Sequence, residues 1–337
     1  MKIARKLTQW VLRRAVREGR RRRSGTIALG ICHNHRISRF SPFMQVAGDE
    51  WLAVRLGEEL FAHCPEIRSW RFYDAKDASR LQADLLIVMS PDYPLPPGSR
   101  SRRVMWLGFA GWANRIPQLL ERYETIFCAS ARPCAQHRQV IYLPVPCEDE
   151  RLFRPVPPDA RLRCEVSFLG NYFRGSRPPE LLTRYVLPAT SFRFGIWGCE
   201  WEQAEPPALR AFARGRLPAR LGPSLYASSH ICLSIHGFFH HEEDNMVSRP
   251  LSILACEAFV ISDYLPSLTC LKDYVVFTEG GKDLEEKIRY YLAHPEERAA
   301  KVRGARQFIL QHHTMAHRAK IMAEKLGLEW KDIGDGR

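Results

Sequence analysis

From Thr26 onward the chain alternates short, nearly unbroken apolar runs with stretches whose apolar residues recur every three or four positions. The runs include TIALGIC (26–32), ADLLIVM (83–89), RVMWLGF (103–109), CEVSFL (164–169), HICLSI (230–235) and FVIS (259–262). Apolar runs of this length predict strands buried on both faces, and three-to-four spacing predicts helices. The pattern predicts strands at 26–32, 67–73, 83–89, 103–109, 125–128 and 140–145. A second set follows at 164–169, 192–197, 230–235, 259–262 and 275–277. Helices are predicted at 49–61, 116–123, 133–139, 180–186, 208–216, 249–256, 283–291 and 296–325. Doubly buried strands alternating with helices imply parallel sheets covered on both sides.

One interruption divides the pattern. Pro144, Pro146, Pro155, Pro157 and Pro158 surround the acidic triplet Glu148-Asp149-Glu150. Prolines at this density read as a linker near 148–162. The expected organisation is an arm over 1–23, one Rossmann-like domain over 24–150 and a second over 151–330. Two such domains would face each other across a cleft, because ligands of open α/β sheets bind beyond the carboxyl ends of the strands.

The length of 337 residues suits two domains. A hydrophobic fraction of 45% and a charged fraction of 26% exclude wholesale disorder. No apolar stretch approaches the length of a spanning helix. The net charge of +13 is unevenly placed: residues 1–23 hold ten Lys/Arg and one acid, Glu18. Leu7, Trp10 and Val11 share a helical face there, with arginines between them. Such an arm suits the surface of an anionic membrane, but a solvated basic tail and a nucleic-acid contact stay open. The body lacks a nucleic-acid recognition motif, so no nucleic-acid partner is expected. Ten scattered cysteines without C-x-x-C spacing read as free thiols in a reducing cytosol.

Candidate chemistry lies in the loops after strands. His33 and His35 follow the first strand, where a neutral imidazole could act as general base on an acceptor hydroxyl. Gly170-Asn171-Tyr172-Phe173-Arg174, then Gly175 and Arg177, follow CEVSFL; glycine permits close backbone approach, and two arginines before a helix offer forks to phosphate, unless this is a tight turn with solvated arginines. The tract His240, His241, Glu242, Glu243, Asp244, Asn245 reads as a mobile loop, since consecutive residues lack metal-ligand spacing. Arg249, opening a predicted helix, is the better anion candidate. Thr278-Glu279-Gly280-Gly281 is a turn whose Glu279 could accept from a ribose diol or simply favour the next helix.

The segment Arg249-Pro250-Leu251-Ser252-Ile253-Leu254-Ala255-Cys256-Glu257-Ala258-Phe259-Val260-Ile261-Ser262-Asp263 resembles the CgeB-like, group 1 glycosyltransferases, which usually read R-x-F-E-A-x-A-C-G-A-F-x-I-S-D. Ile288-Arg289-Tyr290-Tyr291-Leu292-Ala293-His294-Pro295-Glu296-Glu297-Arg298 and His313-Thr314-Met315 are similar to that family's tail. Val166–Asn171 and Cys232–His236 also fit, so the resemblance covers about 165–320.

The resemblance implies a GT-B fold and transfer of a sugar from a nucleotide-diphosphate sugar to a glycan, lipid-linked or protein acceptor in cell-surface polysaccharide biosynthesis. It implies a hexosyl or related transfer without metal or other cofactor, the nucleotide sugar being a co-substrate. Asn171, Arg174, Trp197, Gly198, His236, Arg249, Ser252, Thr278 and Glu279 would hold the donor, and His33 and His35 would meet the acceptor. The enzyme would be cytoplasmic, or peripheral on the inner face of the membrane. Two departures stand out: Ser252 replaces the family's Glu, and Glu257 replaces its Gly. A catalytically silent GT-B module binding a nucleotide, glycan or protein is the alternative.

Overall fold

The computed structural model describes residues 24–34, 48–96, 100–172 and 175–333. The arm over 1–23, His35 and Arg174 lie outside the described residues. The chain forms two compact units.

The first unit holds a six-stranded parallel sheet ordered β2-β1-β3-β4-β5-β6. Its strands are β1 (Ile27–Cys32), β2 (Ile67–Tyr73), β3 (Leu85–Val88), β4 (Arg102–Leu107), β5 (Thr125–Cys128) and β6 (Val140–Tyr142). Its helices include α1 (Gly48–His63), α2 (Ile116–Leu120) and α3 (Ala131–Gln136). All four residues of β3 are buried, as expected of a strand covered on both faces.

The second unit holds a five-stranded parallel sheet ordered β11-β10-β9-β7-β8. Here the strands are β7 (Cys164–Leu169), β8 (Phe194–Trp197), β9 (Ser229–Ser234), β10 (Val260–Asp263) and β11 (Val275–Thr278). The helices are α4 (Pro179–Tyr185), α5 (Gly222–Ala227), α6 (Phe238–Glu243), α7 (Arg249–Ala255), α8 (Lys282–Ala293), α9 (Pro295–Val302) and α10 (Ala305–His312). Strand order reverses around β7, whose neighbours are β8 on one side and β9 on the other. The loops leaving β7 and β9 therefore flank a topological switch point, where open α/β sheets bind ligands.

The units divide after Pro144, ahead of the expected boundary, and the chain returns to the first unit at Met315. The last helix, α11 (Met315–Leu326), buries Ala319, Met322 and Ala323 and packs against α1. Arg102 Nη1 donates to the Leu326 carbonyl at 2.6 Å, and Trp330 stacks on His63 with ring centroids 4.2 Å apart.

Residues 148–162 belong to the second unit rather than spanning freely. Asp149 is buried and accepts from the Arg151 backbone at 3.0 Å. Arg306 of α10 fastens this segment to α7, donating to the carbonyls of Phe153 at 2.9 Å and Ala255 at 2.8 Å.

Three sequence expectations need correction. The helix expected over 296–325 is three helices, α9 to α11. Gly304 takes φ 77°, a left-handed value that ends one helical path and starts another. The stretch expected as helix over 208–216 is a short 3₁₀ segment, Pro207–Phe212. The tract expected to be a mobile loop contains α6, ordered by contacts described below.

Candidate functional site

The loops after β7 and β9 bring two arginines together. Arg249 opens α7, a helix whose Leu251, Ile253, Leu254 and Ala255 are buried. Arg177 lies just before α4 and is itself buried. Arg177 Nη1 and Arg249 Nη1 both donate to the Ile235 carbonyl, at 3.2 and 3.1 Å. Arg177 Nε also donates to the Asn171 carbonyl at 3.0 Å. Both guanidiniums lie over the Phe168 ring, 5.1 and 5.2 Å from its centroid. Among the described residues neither forms an ion pair.

Burial, then Arg249, lowers the pKa of Arg177 to about 9, against an opposing effect of Asp263. Burial also lowers Arg249, with Tyr226, Glu148 and Asp263 offsetting it in part. Two crowded, partly desolvated cations are costly without an anion.

Glycines make room for this arrangement. A Cβ on Gly170 would meet Arg249 Nη2 at 2.9 Å. Gly198 has φ 152°, and a Cβ there would lie 2.0 Å from the Gly170 carbonyl oxygen. The two loops thus approach too closely for any side chain. Trp201 Nε1 donates to that same Gly170 oxygen at 2.6 Å, and Asn171 Oδ1 accepts from the Cys199 backbone at 2.9 Å.

Behind the arginines lies a buried network centred on Asp263, at the end of β10. Its carboxylate accepts from the His236 backbone N–H at 3.0 Å, from His236 Nδ1 at 2.7 Å and from His241 Nε2 at 2.7 Å. Burial alone would raise this carboxyl, but His236 and His241 outweigh it and hold it well below the usual range. The bond from His241 pins α6 to the end of the sheet, and the Phe238 N–H donates to the Ser176 carbonyl at 2.8 Å. His240, on the same helix, has its Nδ1 buried without a partner among the described residues. Burial, then His236, Arg177 and Arg249, lowers its pKa to about 3.

A carboxylate reaches the site from residues 145–150. Glu148 accepts from Ser248 Oγ at 3.0 Å. Burial raises its pKa, and Ser248 and Arg249 oppose the rise. Next to it, Cys147 Sγ lies 3.8 Å from Ser252 Oγ.

The residues singled out from the sequence occupy distinct settings. The Asn171 carbonyl accepts from Arg177, and Arg249 shares the Ile235 carbonyl and the Phe168 ring with it. His236 is fully buried in the Asp263 network. Ser252 is buried on α7 facing Cys147. Trp197 packs its ring among Cys164, Leu217 and Leu225. Thr278 donates to Asp283 Oδ2 at 2.7 Å, while exposed Glu279 uses its backbone N–H on the same oxygen. In the first unit, His33 follows β1, is buried, and donates its backbone N–H to the Tyr73 carbonyl at 3.1 Å. Arg177 is the second arginine of the loop that the sequence marks for an anion; Glu148 and Asp263 carry no such mark. Only their proximity in the fold marks them, since each is distant in sequence from its partners.

Among the described residues no group of three or more His, Cys, Asp and Glu side chains is arranged to hold a metal ion. No described helix is long and apolar enough to cross a membrane. All ten cysteines are free thiols.

Residues 177–324 match the family model described as glycosyl transferase-like. No curated protein matches the chain significantly. Solved structures do. Sucrose-phosphate synthase from Thermosynechococcus elongatus is similar over 89% of this chain and 98% of its own, with 13% identity and a TM-score of 0.64. HepE from Anabaena, in complex with UDP-glucose, is similar over 89% and 99%, with 10% identity and a TM-score of 0.62. WaaG, a glycosyltransferase involved in lipopolysaccharide biosynthesis, is similar over 88% and 99%, with 11% identity and a TM-score of 0.58. These likenesses show the fold, a GT-B pair of Rossmann-like parallel-sheet domains.

Proposed function

We propose that this chain, with a glycosyl transferase-like segment on a GT-B fold, transfers a sugar from a nucleotide-diphosphate sugar to a glycan, lipid-linked or protein acceptor. The observation that carries the reading is the convergence of Arg177 and Arg249 on Phe168 and the Ile235 carbonyl, with no ion pair to either among the described residues. Guanidiniums held in place beforehand suit a diphosphate, which gathers negative charge as the glycosidic bond to it breaks. Cations of this kind stabilise the leaving group without reorganising during the reaction. Arg174 and Asn171 would extend the same donor loop, and Gly198 would let the nucleotide approach the backbone. His33 and His35 are proposed to meet the acceptor hydroxyl, one of them as general base.

A role in cell-surface polysaccharide biosynthesis fits this reading. The arm over 1–23 would carry the enzyme to the inner face of an anionic membrane, with the rest of the chain in the cytoplasm.

Ser252 favours a second reading. It is buried against Cys147 and offers no charge, which suits a GT-B module that binds a nucleotide or glycan without turnover. A thermal-shift screen against UDP, GDP, TDP and CMP and their sugars, followed by donor-hydrolysis assays, separates the two. Turnover supports the transferase; a shift with no turnover supports the silent module.

A further inference from the structure

Glu148 stands apart from the other acids near the arginines. Asp263 is saturated by His236 and His241. Glu148 has one hydrogen-bond partner among the described residues, Ser248 Oγ on its Oε1. It makes no ion pair there, although Arg249 is the residue next to Ser248 and feels its charge. Its place is fixed by the chain on both sides. Cys147 donates its backbone N–H to the His313 carbonyl at 2.8 Å, and Asp149 is buried and bonded to the Arg151 backbone. Ser248 and Ser252, four residues apart, are neighbours along α7, and the chain at 147–148 lies along both.

Glu148 is half-buried, and with one oxygen on Ser248 its carboxylate has an acceptor to spare for an arriving donor. Arg249 beside it donates to the Ile235 carbonyl and makes no ion pair with it among the described residues. The complementary ligand therefore carries a negative group for the arginines and, close by, neutral hydroxyl donors for the carboxylate.

We propose that Glu148 is a specificity-determining residue of the donor site, accepting a hydrogen bond from a hydroxyl of the nucleotide sugar next to its diphosphate. This rests on the reading of Arg177 and Arg249 as the diphosphate site. The hydroxyl belongs to a vicinal diol, either of the ribose or of the transferred sugar. The carboxylate accepts a hydrogen bond and takes no part in bond making or breaking, so it selects and orients the donor.

The test is isothermal titration of wild type, Glu148→Ala, Glu148→Gln and Arg249→Ala. The probes are UDP and GDP, their 2′-deoxy forms, UDP-glucose, GDP-mannose and inorganic pyrophosphate, with thermal unfolding as the control for folding. If Glu148 holds the ribose, wild type prefers the ribonucleotide about tenfold over its deoxy form and Glu148→Ala erases the preference. If it holds the transferred sugar, the preference for nucleotide sugar over free nucleotide collapses instead. In both cases pyrophosphate binding persists in Glu148→Ala and weakens about tenfold or more in Arg249→Ala, and Glu148→Gln falls between wild type and alanine. Folded Glu148→Ala with both preferences intact overturns the proposal while leaving the diphosphate site standing. Wild type that binds none of the probes overturns the donor-site reading and this proposal with it.

Discussion

Arg177 and Arg249 donate to one acceptor, the Ile235 carbonyl, at 3.2 and 3.1 Å. Two cations sharing one neutral oxygen repel each other, and neither pairs with a carboxylate among the described residues. The sheet fixes the arrangement. Ile235 leaves β9, Phe168 lies in β7, and these strands are neighbours with Phe168 in register with Leu233. Loops from adjacent strand ends thus hold the two charges together, and an anionic ligand would relieve the repulsion between them.

Asp263 is expected to matter for stability more than any other acid near the site. Its carboxylate is fully buried and receives the His236 and His241 bonds. Asp263→Asn keeps the shape but removes the charge that strengthens those bonds, each worth about 1.5–3 kcal/mol. Chemical denaturation is expected to show a loss of about 3 kcal/mol or more, and proteolysis to cut first near α6. An unchanged denaturation midpoint would contradict the described network.

His240 sets a pH dependence. Its folded pKa is lowered to about 3, against an ordinary value near 6.5. Between these values the unfolded chain holds a proton that the folded chain does not, so stability falls as pH drops below about 6.5. The loss from this residue approaches about 1.4 kcal/mol per pH unit. Asp263, with its lowered pKa, adds a loss in the same direction only below about 3.9, the ordinary value for aspartate. Denaturation curves from pH 7 to pH 4.5 should therefore be steeper in wild type than in His240→Gln. Equal slopes would contradict the buried neutral imidazole.

Glu257 ends α7 at φ 55°, and its backbone N–H donates to the Leu254 carbonyl at 2.9 Å. Glycine takes this conformation without the strain a Cβ brings. Glu257→Gly is expected to stabilise the protein by about 1 kcal/mol, read as a rise in melting temperature of a few degrees. A fall would mean that the Glu257 side chain stabilises more than its backbone strain costs.

The strands were legible because burial on both faces leaves an almost unbroken apolar signature. Thr125–Cys128 and Cys164–Leu169 stand as the pattern placed them, and so does the edge strand Ile67–Tyr73, although its burial is broken. Helix ends were less legible. Nothing in the periodicity of 296–325 marks Gly304 as the point where the path turns, because the apolar spacing continues through it. The return of α11 to the first unit was hidden for a similar reason: an amphipathic face does not name its partner.

Arg249 was legible as an anion candidate from its place before an apolar helix. Arg174 and Arg177 are both legible as anion candidates, since both follow the same strand and spacing alone does not separate them. The tract 240–245 read as a loop because six polar residues in succession carry no apolar face. Its order comes from long-range bonds, His241 to Asp263 and the Ser267 N–H to Asp244 among them, which no local pattern encodes.

The most direct measurement is the affinity of folded wild type, Arg177→Ala and Arg249→Ala for UDP, GDP and inorganic pyrophosphate by isothermal titration. Wild type is expected to bind at least one of the nucleotides and pyrophosphate. Each substitution should weaken both by about tenfold or more, since a charge-assisted bond to phosphate is worth about 1.5–3 kcal/mol. Binding unaffected by either substitution, or no binding by wild type, would contradict the assignment of the two arginines to a diphosphate.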